Sequence, residues 1–219
     1  MRRLIRRAKK RLFHWSPELA ARCGIDFRLK SPNRSFLEQQ IFDYLNLQAT
    51  RSGTPMTCLF VGMHEYTWHY PRLLNMDFHS LDMDPEQAVY GPAGKHTIGS
   101  ATDMSAFYAE ASFDVVVVNG VIGWGLNERA DFERLLQQCH RVLKPGSLLI
   151  LGYNDTPERA PFSVDIGWQD LFAPTTPPIP GVTQPRHAMN DSYAHVFLFG
   201  ERCANLRRDR LTEAAPPPG

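Results

Sequence analysis

No run of apolar residues in this chain approaches the roughly 18 needed to span a bilayer. Its basic start also lacks the apolar stretch and small-residue cleavage site of a secretory signal. A soluble or at most peripheral protein in the cytoplasm is expected. Cysteine is scarce, and the four residues at 23, 58, 139 and 203 share no C-x-x-C spacing, so reduced thiols are the simpler reading. There is no H-E-x-x-H, no phosphate loop with its lysine and hydroxyl, and no G-x-S-x-G elbow. These absences remove the usual signatures of a zinc hydrolase, a P-loop NTPase and an α/β-hydrolase. His64, His69, His79 and His96 without such a pattern make no metal site, and none is expected.

Acid is missing from the first 17 residues, where Arg2, Arg3, Arg6, Arg7, Lys9, Lys10 and Arg11 supply seven of the 24 basic side chains. The rest of the chain holds 17 basic against 23 acidic residues, so the net charge of +1 conceals a basic start on a mildly acidic body. Such a body repels a polyanion, and no nucleic-acid partner is expected. Leu4, Ile5, Ala8, Leu12 and Trp15 recur at helical spacing among the cations, as in a basic helix that lies on an anionic membrane such as the inner membrane surface. The plain alternative is a frayed, solvated terminus.

What is present is enough for one substantial core: 219 residues, 43% of them hydrophobic. The organisation expected is a basic amphipathic segment over residues 1–33, a domain over 34–204 and a disordered, proline-rich tail over 205–219. Ser35-Phe36-Leu37-Glu38 matches a capping box, which predicts a helix from there to about Gln48 with Leu37, Ile41, Tyr44 and Leu45 as its apolar stripe. Then "MTCLFVG", "FHSLDMD", "KHTIGSATDM" and "FDVVVVNG" read as strands in a strand–turn–helix alternation, the last of the fully buried parallel type. Phe132, Leu135, Leu136, Cys139 and Leu143 mark a helix, and "LKPGSLLILGYN" a helix stop, a turn and a fifth strand. A proline-rich excursion over about 155–190, with a short helix near "GWQDLF", precedes a closing strand in "SYAHVFLFGER". The fold class is α/β, a doubly wound, mostly parallel sheet with helices on both faces.

Ligands of such sheets sit beyond the carboxyl ends of the strands. Those ends offer Gly62 with "MHEY", Asp82-Met83-Asp84-Pro85, Gly99 to Asp103, Asn119-Gly120 and Tyr153-Asn154-Asp155. Asp82 follows Gly62 by the 20 residues at which an acid can accept from both hydroxyls of a ribose. The glycine turn itself breaks a rule, because "CLFVGMHEYTWHY" carries His64, Glu65 and Tyr66 where a dinucleotide loop would repeat glycine. A nicotinamide enzyme is therefore not indicated.

In order and spacing, "CLFVG", "LDMDPE", "GSATDM", "SFDVVVVNGVIGWG" and "CHRVLKPGSLLILGYN" resemble the class I S-adenosylmethionine-dependent methyltransferases, and within them the small bacterial members, over roughly Phe36 to Gly200. The resemblance implies a Rossmann-like fold and S-adenosylmethionine as cofactor. It puts Gly62 and Met63 beside the methionine part, Asp82 and Met83 at the ribose, Ala101, Thr102 and Asp103 near the adenine, and Asn119 and Gly120 facing the methyl group. The chain departs from the family where an acid within the first strand is replaced by Phe60 and the later loop glycines by His64 and Tyr66. Either Glu65 or His64 has taken over the amino or carboxylate end of the methionine, with Tyr66 and Trp68 as walls, or the pocket has closed and the domain is an inactive scaffold that partners another enzyme.

Methyl transfer is an in-line displacement that gains mostly from positioning, and a hydroxyl acceptor adds the need for a base. The expected activity is O-methylation of a small-molecule or glycan acceptor, the basic start suiting a lipid-linked one. His69, Glu65 and Tyr153 are the expected catalytic residues, with His64 and Asp155 also within reach, and Trp124 and Trp168 are candidates to line the acceptor pocket.

Overall fold

The computed structural model describes residues 2–165 and 168–203; the tail expected at 205–219 lies outside the described residues. Five strands run parallel: β1 (Thr57–Val61), β2 (Asp77–Asp82), β3 (His96–Ile98), β4 (Phe113–Asn119) and β5 (Leu143–Asn154). Three follow: β6 (Phe172–Pro174), β7 (Arg186–Ala188) and β8 (His195–Arg202). The spatial order is β3-β2-β1-β4-β5-β8-β6; β8 is antiparallel to β5, and both short strands pair antiparallel with β8. The chain reverses direction of winding between β1 and β4, which is where an open α/β sheet leaves a crevice for a ligand.

Because side chains alternate across a strand, the central strands divide between two apolar layers. Cys58 and Phe60 of β1, Val115 and Val117 of β4 and Ile150 of β5 face one; Leu59, Val61, Val116, Val118, Leu149 and Leu151 face the other. Four helices and a bridging turn cover the first layer: α1 (Arg2–Trp15), α2 (Pro17–Arg22), α3 (Pro32–Phe36), a single π-helical turn at Leu37–Ile41, and α4 (Phe42–Ser52), which continues it. The second layer is covered by α5 (Arg129–Val142), through Phe132, Leu135, Leu136 and Cys139, and by the short α6 (Trp168–Leu171). The doubly wound sheet expected from the alternation is thus present, with one difference. Between β1 and β4 the crossovers are short 3₁₀ turns, at Tyr70–Arg72, Pro85–Tyr90 and Ala101–Ala106, rather than helices. Pro71 and Pro85 sit at the starts of two of them and Asp103 breaks helical geometry in the third, with φ −139°, so none can propagate.

The predicted capping box is also corrected. The helix begins at Pro32, and Ser35 already donates its backbone N–H to Ser31 O at 3.0 Å from inside it. Proline at the first helical position outcompetes the downstream signal because its φ is preset and its missing N–H is one that would go unpaired. The helical path runs on to Ser52, ending at Gly53 in the left-handed region (φ +67°). In the proline-rich excursion, the three-residue strands β6 and β7 lie along the outer edge of β8, where a missing N–H costs least.

The first 33 residues contribute directly to the core. Phe13 is fully buried, with edge contacts to Phe27 at 4.8 Å and Trp68 at 5.8 Å between ring centroids, and Ala20 is buried beside it. Phe13→Ala is expected to cost about 3–5 kcal/mol in denaturant unfolding; a loss under about 1 kcal/mol would mean that α1 is a detachable arm.

Candidate active site

The site begins with one close approach. Gly62 leaves β1 at φ +100°, and a Cβ placed on it would stand 2.5 Å from the backbone oxygen of Asn119 and 3.2 Å from Val121 Cγ2. No side chain is tolerated there. The ends of β1 and β4 therefore meet over a bare backbone, and beyond them opens a cavity of about 700 Å³. A second cavity of about 260 Å³ adjoins it, sharing Gly62, Asp82, Met83, Gly120 and Trp124 as common walls.

The residues that replace the later loop glycines do not fill this space. The His64 ring stacks on Tyr66, with centroids 4.3 Å apart and planes 20° apart, and the Arg34 guanidinium lies 4.8 Å from the Tyr66 centroid. The loop is tied down by the fully buried Thr67, whose Oγ1 accepts from His64 N at 2.9 Å. His64 and Tyr66 become wall, and the cavity stays open between them and β4.

Asp82 stands at the tip of β2 where the two cavities join, and its Oδ1 accepts the backbone N–H of Asp84 at 2.9 Å. Burial, assisted by repulsion from Asp84, raises its carboxyl above the ordinary range, while backbone donors pull the other way. A carboxylate in that condition gains from hydroxyl donors. Ala101 and Thr102 line the smaller cavity, where Ser100 Oγ accepts Thr102 N–H at 3.2 Å. Met63, Met83, Asn119 and Gly120 line the larger one.

Three of the expected residues are held elsewhere. Glu65 turns outward to Lys10 of α1, 3.3 Å away, because the basic helix lies against that side of the loop. His69 is buried behind the cavity wall with Nε2 3.2 Å from Glu38 Oε1, the glutamate of the supposed capping box. Asp103 is exposed and outside the lining of both cavities, at the kink marked by its own non-helical φ. Tyr153 does line the larger cavity, yet burial pushes its hydroxyl up to about 12, so it is a donor rather than a base. Asp155 pairs with Arg186. Trp124 rims both cavities with Arg159 3.6 Å above its ring, whereas Trp168 packs on Phe172 in the core.

Sequence reasoning overlooked Arg34, Asn154 as a site group, Tyr193 and His195. Arg34 is only 8% exposed, donates to Tyr70 Oη at 3.3 Å, and has no carboxylate within ion-pair distance among the described residues. An arginine so buried without a counter-ion costs several kcal/mol unless an anion completes it. The Ser31-Pro32 start would have placed Arg34 in the first helical turn, facing the strand ends. His195 enters because β8 is antiparallel and brings its first residue, opposite Asn154, to the end where the parallel strands finish.

The cofactor that the resemblance implies fits this donor set. Gly62 offers the bare cradle, Asp82 the hydroxyl-binding carboxylate, the smaller cavity an apolar and backbone-lined recess for a base, and Arg34 a cation for the methionine carboxylate. When bound, S-adenosylmethionine supplies an electrophilic methyl group.

Burial also lowers His64, His96, His140, His187 and His195 from 6.5, the last to about 4. The unfolded chain then binds protons that the folded chain refuses. Their stability contribution is complete above about pH 6.5 and falls as pH drops toward 4, by about 1.4 kcal/mol per pH unit for one such proton. Unfolding free energies at pH 7, 6 and 5 are expected to decline in that order; a flat profile would contradict a neutral buried His195.

Comparison with known proteins agrees with this geometry. Residues 63–151 match the family described as methyltransferase domain. The N-methyltransferase NodS from Bradyrhizobium japonicum, solved with S-adenosyl-L-homocysteine, superposes with TM-score 0.54 at 16% identity, covering 80% of this chain and 93% of that one. A TehB-like SAM-dependent methyltransferase from Corynebacterium glutamicum gives 0.51 at 14% identity over 89% and 98% of the two chains. The PH0226 protein from Pyrococcus horikoshii gives 0.51 at 13% identity over 78% and 91%. No curated protein matches in sequence. Over residues 63–151 the chain is thus similar to the methyltransferase-domain family, and it shares the fold of these solved methyltransferase structures around the strand-end site.

Proposed function

We propose that this methyltransferase acts on a hydroxyl group of a small-molecule or glycan acceptor, including one attached to a lipid. The observation that carries the reading is the size and lining of the larger cavity. Beyond Gly62, Asp82 and Arg34 it extends over a polar floor of Asn119, Asn154 and His195, where an acceptor hydroxyl finds groups to bond. Its rim is apolar and open: Leu29, Met83, Trp124 and Tyr193 are all among the exposed large hydrophobic residues. An acceptor with a polar reacting end and an apolar or ring-shaped body suits that combination.

Cofactor use is tested by calorimetry with S-adenosylhomocysteine and with adenosine. Asp82→Ala is expected to weaken both by roughly 10- to 100-fold, the loss of hydrogen bonds to a charged group. Arg34→Met is expected to weaken only the ligand that carries a carboxylate. Absence of any heat with wild-type protein at millimolar S-adenosylhomocysteine would return the domain to the scaffold reading.

A lipid-linked acceptor also fits the N-terminal helix. No helix among the described residues is long and apolar enough to cross a membrane. Helix α1 buries Phe13 but keeps Arg7, Lys9 and Arg11 in solvent, with Ile5 and Trp15 exposed as well. Lys10 ties it to the cofactor loop. The expected outcome is sedimentation with phosphatidylglycerol vesicles and not with phosphatidylcholine, reduced roughly a hundredfold by Arg7→Gln, Lys9→Gln and Arg11→Gln together, at about 1 kcal/mol per charge. Equal partition onto both vesicle types, or none, would remove the membrane contact.

A further inference from the structure

His195 is positioned by more bonds than a wall residue needs. The turn that delivers it is built by Asp191, whose Oδ1 accepts the backbone N–H groups of Tyr193 at 3.0 Å and of His195 at 3.1 Å. Between them Ala194 is held at φ +48°, a left-handed conformation that a non-glycine residue adopts only under such constraint. The ring packs edge-on against Phe197, centroids 4.7 Å apart, and the residue is 3% exposed. Its Nδ1 lies 2.8 Å from Asn154 Oδ1. An amide oxygen only accepts, so the proton sits on Nδ1 and Nε2 keeps a lone pair.

That lone pair has no partner, and neither has Asn119 Oδ1; both atoms are closed to solvent, so an acceptor reaches them only by displacing part of the cavity wall. Both converge on one place: the position a Cβ of Gly152 would take is 3.1 Å from His195 Nε2 and 2.5 Å from Asn119 Oδ1. Glycine at 152 makes room for the two side chains, and both residues line the larger cavity. Neighbouring acceptor atoms without a donor form an incomplete hydrogen-bond site, and what completes it is a group bringing donors of its own.

We infer that His195 Nε2 receives the proton of the hydroxyl being methylated, that Asn154 holds the imidazole in the required tautomer, and that Asn119 Oδ1 takes a second, adjacent hydroxyl. The acceptor class is thereby a vicinal diol, as in a catechol or a sugar ring; this rests on the hydroxyl reading above. The acceptor oxygen forms its bond to the methyl carbon, the carbon–sulfur pair leaves with sulfur, and the O–H proton passes to Nε2. One positive charge leaves the sulfonium as one arises on the imidazolium, and water later removes the proton. Burial, then repulsion from Arg34, hold the ring neutral beforehand, with Asp191 opposing them. A cationic ring beside both Arg34 and a sulfonium would work against cofactor binding.

The test uses full-length protein, tritiated S-adenosylmethionine, and catechol, phenol and 4-nitrophenol as probes. Wild type is expected to methylate catechol faster than phenol. His195→Ala is expected to lose about 10²- to 10³-fold on catechol, to lose little on 4-nitrophenol at a pH where that phenol is already ionised, and to keep its affinity for S-adenosylhomocysteine. Equal losses on the neutral and the ionised phenol would overturn the assignment, since a merely structural ring gives that pattern. Nitrogen-15 spectra of the imidazole in the S-adenosylhomocysteine complex supply a readout free of turnover. A bare Nε2 is expected; a protonated Nε2 donating to Asn119 would mean a closed Asn154–His195–Asn119 chain and would overturn it. Wild-type protein that methylates none of the probes would overturn the diol class, and the nitrogen spectrum would still decide His195.

Discussion

The site exists because two strand ends, β1 and β4, approach closer than any side chain allows. Gly62 meets the Asn119 carbonyl with no room for a methyl group, and the parallel pairing of Leu59 with Val116 through Val61 with Val118 brings them there in register. Everything the cofactor needs is measured from that contact. It puts Asp82 one strand away on one side and Gly120 at the mouth of the crevice on the other. A Cβ at 62 would separate the strands or close the crevice, and the rest of the wall would have nothing to enclose.

The remaining glycines of such a loop are dispensable if their replacements satisfy each other. His64 and Tyr66 do so by stacking, and Arg34 closes the stack from the neighbouring helix. The loop is stiffened by side chains rather than left as bare backbone, and the stack sets a guanidinium beside the cavity. A single fixed cation recognises a carboxylate by charge and geometry. The arrangement trades the adaptability of glycine for a preformed anion site.

The fold was legible because its signals are redundant: buried valine-rich strands, one strongly periodic helix and an acid at the second strand tip all indicate the same sheet. The site was half legible for the same reason. Gly62, Asp82, Asn119 and Gly120 sit at ends of parallel strands, and such ends can be listed from the chain alone. Glu65 and His69 misled because proximity in sequence to Gly62 says nothing about which way a side chain turns; Lys10 and Glu38, both distant in sequence, decided it. Arg34 was hidden by a false helix start. His195 was hidden by strand direction, because an antiparallel strand presents its beginning where parallel strands present their ends.

Charge is what binds these pieces into one working arrangement. Arg34 is buried and cationic, a sulfonium is cationic, and both must lie near the β4 end. Any further positive charge there is expensive in a medium of low polarity. A base that is already protonated is therefore excluded, and a carboxylate base would pair with Arg34 and compete for the methionine carboxylate. A buried neutral imidazole avoids both conflicts: it offers a lone pair without charge, and it becomes cationic only as the sulfur becomes neutral. For the proposed hydroxyl acceptor, the placement of His195 beside Asn154 and within the field of Arg34 would meet that requirement. The depressed basicity of the ring, which alone would make it a poor base, would on that proposal let a methyl donor and an arginine share one small cavity.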